Sequence, residues 1–273
     1  MNEDLERAVQ WYPGHMVKAM RRIGEYLKLI DLVIEVVDAR VARSGRNPML
    51  DTIVGDRKRM IVLNFEDLAD PAITRRWIEH FEALGRPVAA TDGRVQPSVR
   101  RAAAKVAELA SGRKGTARAL VVGLPNTGKS AVINGLIRRS AAKTEDRAGV
   151  TRQLQWFRMN EGVEIMDTPG ILVPKIPDND AQWKLAITGA VPRERYDPEE
   201  IAVFFHRWLA ARPQGAGDVP DLETFARSRG FMRRGGEIDY HNAAQSYVAA
   251  FGEGTFGRIS LESPDDVARG KTA

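Results

Sequence analysis

The sequence predicts a three-layer α/β domain followed by a small all-α domain. Three observations carry that prediction. Short Val/Ile/Leu runs alternate with helical periodicities through the first part of the chain. A glycine-rich loop of the form G-x-x-x-x-G-K-S joins one such run to a helix. After about residue 180 the apolar runs stop and amphipathic stripes take over.

The runs at 32–37, 60–63, 88–90, 119–122 and 163–166 read as strands. They are nearly continuous rather than alternating, as a parallel sheet covered on both faces requires. Helical patterns lie between them, at 73–84, 99–109 and 131–138. Three helices are expected beyond residue 180. Asp197 caps the first, with Pro198 in its first turn and Glu200 completing a capping-box-like pair. Ile201, Phe204, Phe205, Trp208 and Leu209 share one face of it. Asp221 caps a second helix that ends at Gly230. The third starts at Asp239, carries Tyr240, Ala243, Ala244, Tyr247, Val248 and Phe251 on one stripe, and stops at Gly252. The expected domains are 1–180 and 181–262, with 263–273 a frayed tail.

Composition bounds the function. The chain has 273 residues, 43% hydrophobic and 28% charged, the profile of a soluble globular protein. It contains no cysteine, which excludes disulfides, thiolate zinc sites and cysteine nucleophiles. The start, Met1-Asn2-Glu3-Asp4, is acidic and polar, unlike a signal or transit peptide. No apolar stretch is long enough to span a bilayer. A cytoplasmic, monomeric protein without a membrane partner is expected. The formal net charge of +5 points to a polyanionic partner.

The chemistry sits in three places. Gly123-Leu124-Pro125-Asn126-Thr127-Gly128-Lys129-Ser130 is a complete phosphate-binding loop. Its glycines let backbone N–H groups curl toward phosphate oxygens, and the following helix adds its dipole. Asn126, Thr127 and Gly128 line the cradle. Lys129 reaches the β- and γ-phosphates, and the Ser130 hydroxyl is a Mg²⁺ ligand. Asp167-Thr168-Pro169-Gly170 follows a strand. Its Asp167 is placed to hold Mg²⁺ and its Gly170 N–H to sense a γ-phosphate. Thr151 lies between the two motifs, where its hydroxyl completes the Mg²⁺ shell.

Asn64-Phe65-Glu66-Asp67 ends another strand, ahead of the phosphate loop rather than after it. Asp67 is suited to accept from the ring N–H and exocyclic amine of guanine, and Asn64 to contact the other polar edge of the base. Phe65 stands where a lysine is usual. Its ring offers either a flat stacking surface or an apolar group for the core. Thr91 and Asp92, after the next strand, form the loop that backs the base. Asn64, Thr91, Gly123 and Asp167 are thus all expected on one sheet edge, where open α/β folds bind ligands.

With these motifs placed, the chain resembles a circularly permuted GTPase of the ribosome-assembly type. It is similar to the ribosome biogenesis GTPase A family of bacteria and its mitochondrial relatives. Trp11-Tyr12-Pro13-Gly14-His15-Met16, Asp38-Ala39-Arg40 with Ser44 and Asn47-Pro48, and Gly235-Gly236-Glu237-Ile238-Asp239 with Gly257-Arg258-Ile259 resemble its other signatures. The resemblance implies hydrolysis of GTP to GDP, Mg²⁺ as cofactor, and a role in late maturation of the large ribosomal subunit through rRNA contact. It also implies a catalytic His15, and a K⁺ ion held partly by Asn126 in place of an arginine finger. Many GTPases place a water-orienting Gln just after the Asp-x-x-Gly glycine. Here that position is Ile171, which cannot hydrogen-bond to water. Arg21, Arg22, Arg100, Arg101, Arg138, Arg139, Arg229, Arg233 and Arg234 are the basic residues available to rRNA. Two other readings stay open. Ile171 favours an RNA-binding scaffold with negligible hydrolysis, and Phe65 keeps alive an ATP-dependent P-loop enzyme unrelated to ribosomes.

Overall fold

The computed structural model of the chain describes residues 27–47, 50, 54–55, 57–112, 114–137, 155–160, 162–167, 176, 178–212 and 219–269. The continuous apolar runs lie at the centre of a six-stranded sheet. Its strands are β1 (Leu32–Asp38), β2 (Lys58–Asn64), β3 (Val88–Thr91), β4 (Ala117–Gly123), β5 (Gln155–Asn160) and β6 (Val163–Asp167), in the order β3-β2-β1-β4-β6-β5. All neighbours are parallel except β5, which runs antiparallel to β6 at one edge.

Both faces of the sheet are covered. Helix α1 (Pro71–Ala83) is capped by Asp70, whose carboxylate accepts from the N–H groups of Ala72 and Ile73. It buries Trp77 and Phe81 against Val37, Ile61 and Leu63. Helices α2 (Gln96–Ala110) and α3 (Lys129–Ile137) pack Val99, Val106, Ile133 and Leu136 against Ile34, Val36, Met60 and Val62 on the opposite face. The alternation of side chains along β1 and β2 feeds the two layers in turn.

The helical part comprises α4 (Asn179–Ile187), α5 (Pro198–Ala210), α6 (Leu222–Arg229) and α7 (Tyr240–Gly252). Phe205, Phe225, Tyr247 and Phe251 form its aromatic centre, with Phe205 and Phe251 edge to face at 5.0 Å between centroids. Val41 and Leu124, from the α/β part, are buried in this same cluster. The helices therefore pack onto the carboxyl-terminal edge of the sheet.

Three features differ from the sequence expectation. Strand β5 was not expected. Its Gln-Trp-Phe-Arg-Met-Asn pattern is that of an edge strand with one exposed row, with Trp156 lying under the Arg118 guanidinium at 5.4 Å. Helix α4 was missed because its residues from Trp183 to Ile187 are all buried, so it shows no clear amphipathic stripe. The tail expected to fray from Ser263 instead holds a short helix, α8 (Pro264–Arg269). Asp266 accepts from the Ser263 N–H at 2.7 Å, and Asp265 pairs with Arg76 of α1 at 2.6 Å.

Candidate nucleotide site

The parallel strands present their carboxyl ends together. Asp38, Asn64, Thr91, Gly123 and Asp167 are the last residues of β1, β2, β3, β4 and β6. Chain order runs outward one way from β1 to β3 and the other way from β4 to β6. The switch point therefore falls between β1 and β4, the place for a ligand in this class of sheet.

The phosphate loop leaves β4 at this point. Thr127 Oγ1 donates to the Leu124 carbonyl at 3.0 Å, closing the turn. Asn126 has φ +57° and Gly128 φ +73°. Glycine is required at 128 for a second reason. A Cβ there would lie 2.1 Å from Asn64 Nδ2 and 3.0 Å from Phe65 Cζ. Lys129 and Ser130 open α3, Lys129 being buried and Ser130 half-buried. The Lys129 ammonium donates to Asp167 Oδ1, a pair whose side chains are 6% and 4% exposed. Burial pushes the Lys129 ammonium below its ordinary pKa, and the Asp167 carboxylate opposes that shift. Ser130 Oγ and the Asp167 carboxylate are hard oxygen donors of the kind Mg²⁺ takes, so the residues present fit that ion.

The loop that opens at Asn64 and carries Asp67 lies beside the phosphate loop. Asn64 is fully buried and joins the two. Its Nδ2 donates to the Thr127 carbonyl at 2.9 Å. Its Oδ1 accepts from the Gly93 N–H at 2.9 Å and from Thr91 Oγ1 at 3.2 Å. The carbonyl end of the Asn64 amide is taken up inside the protein, so Asn64 ties the two loops together, and the second N–H of its Nδ2 is the group it has left to offer a ligand. Phe65, at φ +62°, belongs to none of the apolar clusters. Its half-buried ring lies between Gly128 and the guanidinium of Arg40, 5.5 Å from the ring centroid. Of the two roles open to it in sequence, a core residue is the one the placement removes.

Asp67 is held from one side only. Its Oδ2 accepts from Arg94 Nη2 at 2.6 Å. Its Oδ1 is buried and has no hydrogen-bond partner among the described residues. A buried carboxylate oxygen without a donor is costly, so it marks a place where a ligand donor belongs. Arg94 also binds Asp92, from its backbone N–H at 2.9 Å and from Nε at 3.1 Å. Burial pushes the Asp92 carboxyl up, and these Arg94 bonds more than offset it, leaving the group below its usual value. Asp92 thus acts through Arg94, as an anchor for the loop.

Sequence reading missed Arg94. Its signal was there, one residue beyond the Ala-Thr-Asp-Gly loop. It also gave Arg40 no role. Arg40 is 3% exposed and pairs with Asp38 at 2.7 Å. It lies over Phe65 and Phe251 and donates to the carbonyls of Phe251 and Gly252 at the end of α7. One guanidinium thereby joins the loop after β2 to the helical part. Arg101 and Arg233, considered for RNA, are ion-paired with Glu66 and Asp239. His15, Arg21, Arg22, Arg138, Arg139, Thr151, Gly170 and Ile171 lie outside the described residues. Among the described residues, no helix is long and apolar enough to cross a membrane.

This fold and site define a P-loop nucleotide-binding protein of the GTPase class. A family model described as "50S ribosome-binding GTPase" matches residues 118–196. The chain is 38% identical over 281 residues to ribosome biogenesis GTPase A of Bacillus licheniformis, covering 95% of this chain and 99% of that one. Two solved structures are similar throughout. A GDP-bound YlqF gives a TM-score of 0.73 at 33% identity, over 90% of this chain and all of the other. A GNP-bound YlqF from Thermotoga maritima gives 0.72 at 32%, over 91% and 99%. The chain belongs to the ribosome biogenesis GTPase A family.

Proposed function

We propose that this protein hydrolyses GTP during assembly of the large ribosomal subunit, and that its nucleotide state sets its affinity for rRNA. The observation that carries the GTP reading is the buried, unpartnered Asp67 Oδ1 beside the phosphate loop. A carboxylate in that place pairs with the ring N–H and exocyclic amine of guanine, a pattern adenine does not offer. Similar chains of known structure were solved with GDP and with GNP, which supports the same reading.

In this reading Mg²⁺ is the cofactor, held by Ser130, Asp167 and Thr151, and it supplies charge neutralisation at the phosphates. Lys129 reaches the phosphates by leaving its partner Asp167. The Asn126 amide donates to the Gly189 carbonyl at 2.8 Å, which leaves its Oδ1 as a hard donor for K⁺. Gly170 senses the γ-phosphate, and His15 orients the attacking water that Ile171 cannot. Residues 1–180 act as the GTPase unit and 181–262 as the rRNA-contacting unit, with Arg229, Arg233 and Arg234 among its basic groups. Gating is physically direct. Leu124 of the phosphate loop is buried among the helices, and Asn126 bonds to the turn after α4. Rearrangement of the loop around a γ-phosphate therefore acts on the helical unit without an intermediary.

The test is turnover of GTP and of ATP in K⁺ and Mg²⁺ buffer, with and without large ribosomal subunits. GTP turnover that is slow alone and stimulated by subunits is the expected result. His15→Ala is expected to bind GTP normally but lose the stimulation. Equal turnover of ATP, or no response to subunits, contradicts the proposal.

A further inference from the structure

The base-reading loop is closed on its outer side by a segment from far along the chain. Arg258 Nη2 donates to the Glu66 carbonyl at 2.6 Å, and its Nε donates to the Ala69 carbonyl at 2.9 Å. The Ile259 N–H donates to the Leu68 carbonyl at 3.0 Å. The Asp70 N–H donates to Ser260 Oγ at 3.1 Å. Backbone groups on both sides of Asp67 are thus satisfied by three consecutive residues. Gly254 completes the seat, since a Cβ there would lie 2.5 Å from Leu68 Cδ2. Further on, Leu261 N–H donates to the Arg40 carbonyl at 2.8 Å. The Glu262 carboxylate, 3% exposed, accepts from the N–H groups of Arg43 and Ser44, both at 2.9 Å. The segment is anchored at both ends and crosses the loop between them.

Asp67 itself takes no part in this seam. Its carboxylate points to Arg94 and to the unpartnered position described above. A loop whose flanking carbonyls are fixed by a charged fork loses less freedom when the base arrives. The two bonds from Arg258 are charge-assisted and span the turn, so they set the position of the carboxylate between them.

We infer that segment 258–260 is a specificity-determining element for guanine recognition, with Arg258 the residue that positions the Asp67 carboxylate. This rests on the reading of Asp67 as the base reader. Arg258 touches neither base nor phosphate in that account; it acts through the loop.

The experiment measures affinity of the full chain for GDP, IDP and inorganic pyrophosphate by calorimetry, in Mg²⁺ buffer. IDP lacks the exocyclic amine, so the GDP-to-IDP ratio reads the second bond to Asp67. Arg258→Ala is expected to weaken GDP about tenfold, a change of about 1.4 kcal/mol, to move the ratio toward one, and to leave pyrophosphate affinity as in the wild type. Arg258→Lys, which donates from a single point, is expected to fall between the two. Equal losses for GDP and pyrophosphate, or an unchanged ratio, would overturn the inference. Asp67→Asn separates the two levels. If it leaves the ratio at its wild-type value, base reading by Asp67 fails and this inference fails with it. If it shifts the ratio while Arg258→Ala does not, only the positioning role of Arg258 is lost.

Discussion

Lys129→Ala is expected to reduce GTP turnover by about 10²–10³-fold, the scale of losing one preorganised charge-stabilising donor. The loss has two parts that the structure separates. Lys129 is the positive group at the head of α3, where phosphates meet the helix dipole. It is also the partner of a buried carboxylate, Asp167. Removing the lysine takes from that buried carboxylate a close counter-charge, which costs stability. A lower melting temperature is therefore expected along with the lost activity. The double variant Lys129→Ala/Asp167→Ala leaves neither charge buried. It is expected to recover much of the stability and none of the turnover. Turnover near the wild-type rate in Lys129→Ala would contradict the assignment of the phosphate loop.

Asp67→Asn is expected to exchange guanine for xanthine. The amide loses the acceptor for the exocyclic amine and gains a donor for the carbonyl that xanthine carries in its place. Arg94 holds the neighbouring oxygen, so the side chain is constrained to present the new group at the same spot. A site whose buried polar group is left unpaired rejects the wrong ligand strongly. We expect affinity for GTP to fall about a hundredfold or more while that for XTP rises, read by competition against a fluorescent GDP. An unchanged preference would show that another group reads the base.

The sequence singled out these two residues for different reasons. Lys129 sits in a motif whose spacing encodes its geometry, a tight turn followed by a helix start. Asp67 gained meaning from its place after a strand, because the ends of parallel strands converge. What was not legible depended on contacts between distant segments. Asn64 was expected to touch the base, and only the approach of Thr127 and Gly93 shows its amide joining two loops. Arg40 stood in a recognised block without a role, since its partners at the end of α7 lie more than two hundred positions away. Helix α4 was hidden by its own burial, because its second half, Trp183 to Ile187, is buried on every side and leaves no stripe to detect. The edge strand β5 was hidden by its polar row.

Together the placements describe a site with two attachments to the helices. The phosphate loop enters their core through Leu124, and the loop after β2 is gripped by Arg40 and by the segment after α7. A ligand that orders both loops is linked to the arrangement of the helices, and by reciprocity a partner that binds the helices acts on nucleotide affinity.

Co-sedimentation with large ribosomal subunits, in matched buffers containing a non-hydrolysable GTP analogue, GDP or no nucleotide, tests that linkage most directly. Tighter association with the analogue than with GDP is expected, weakening as salt rises because rRNA contact releases counterions. Equal association in all three conditions would contradict it.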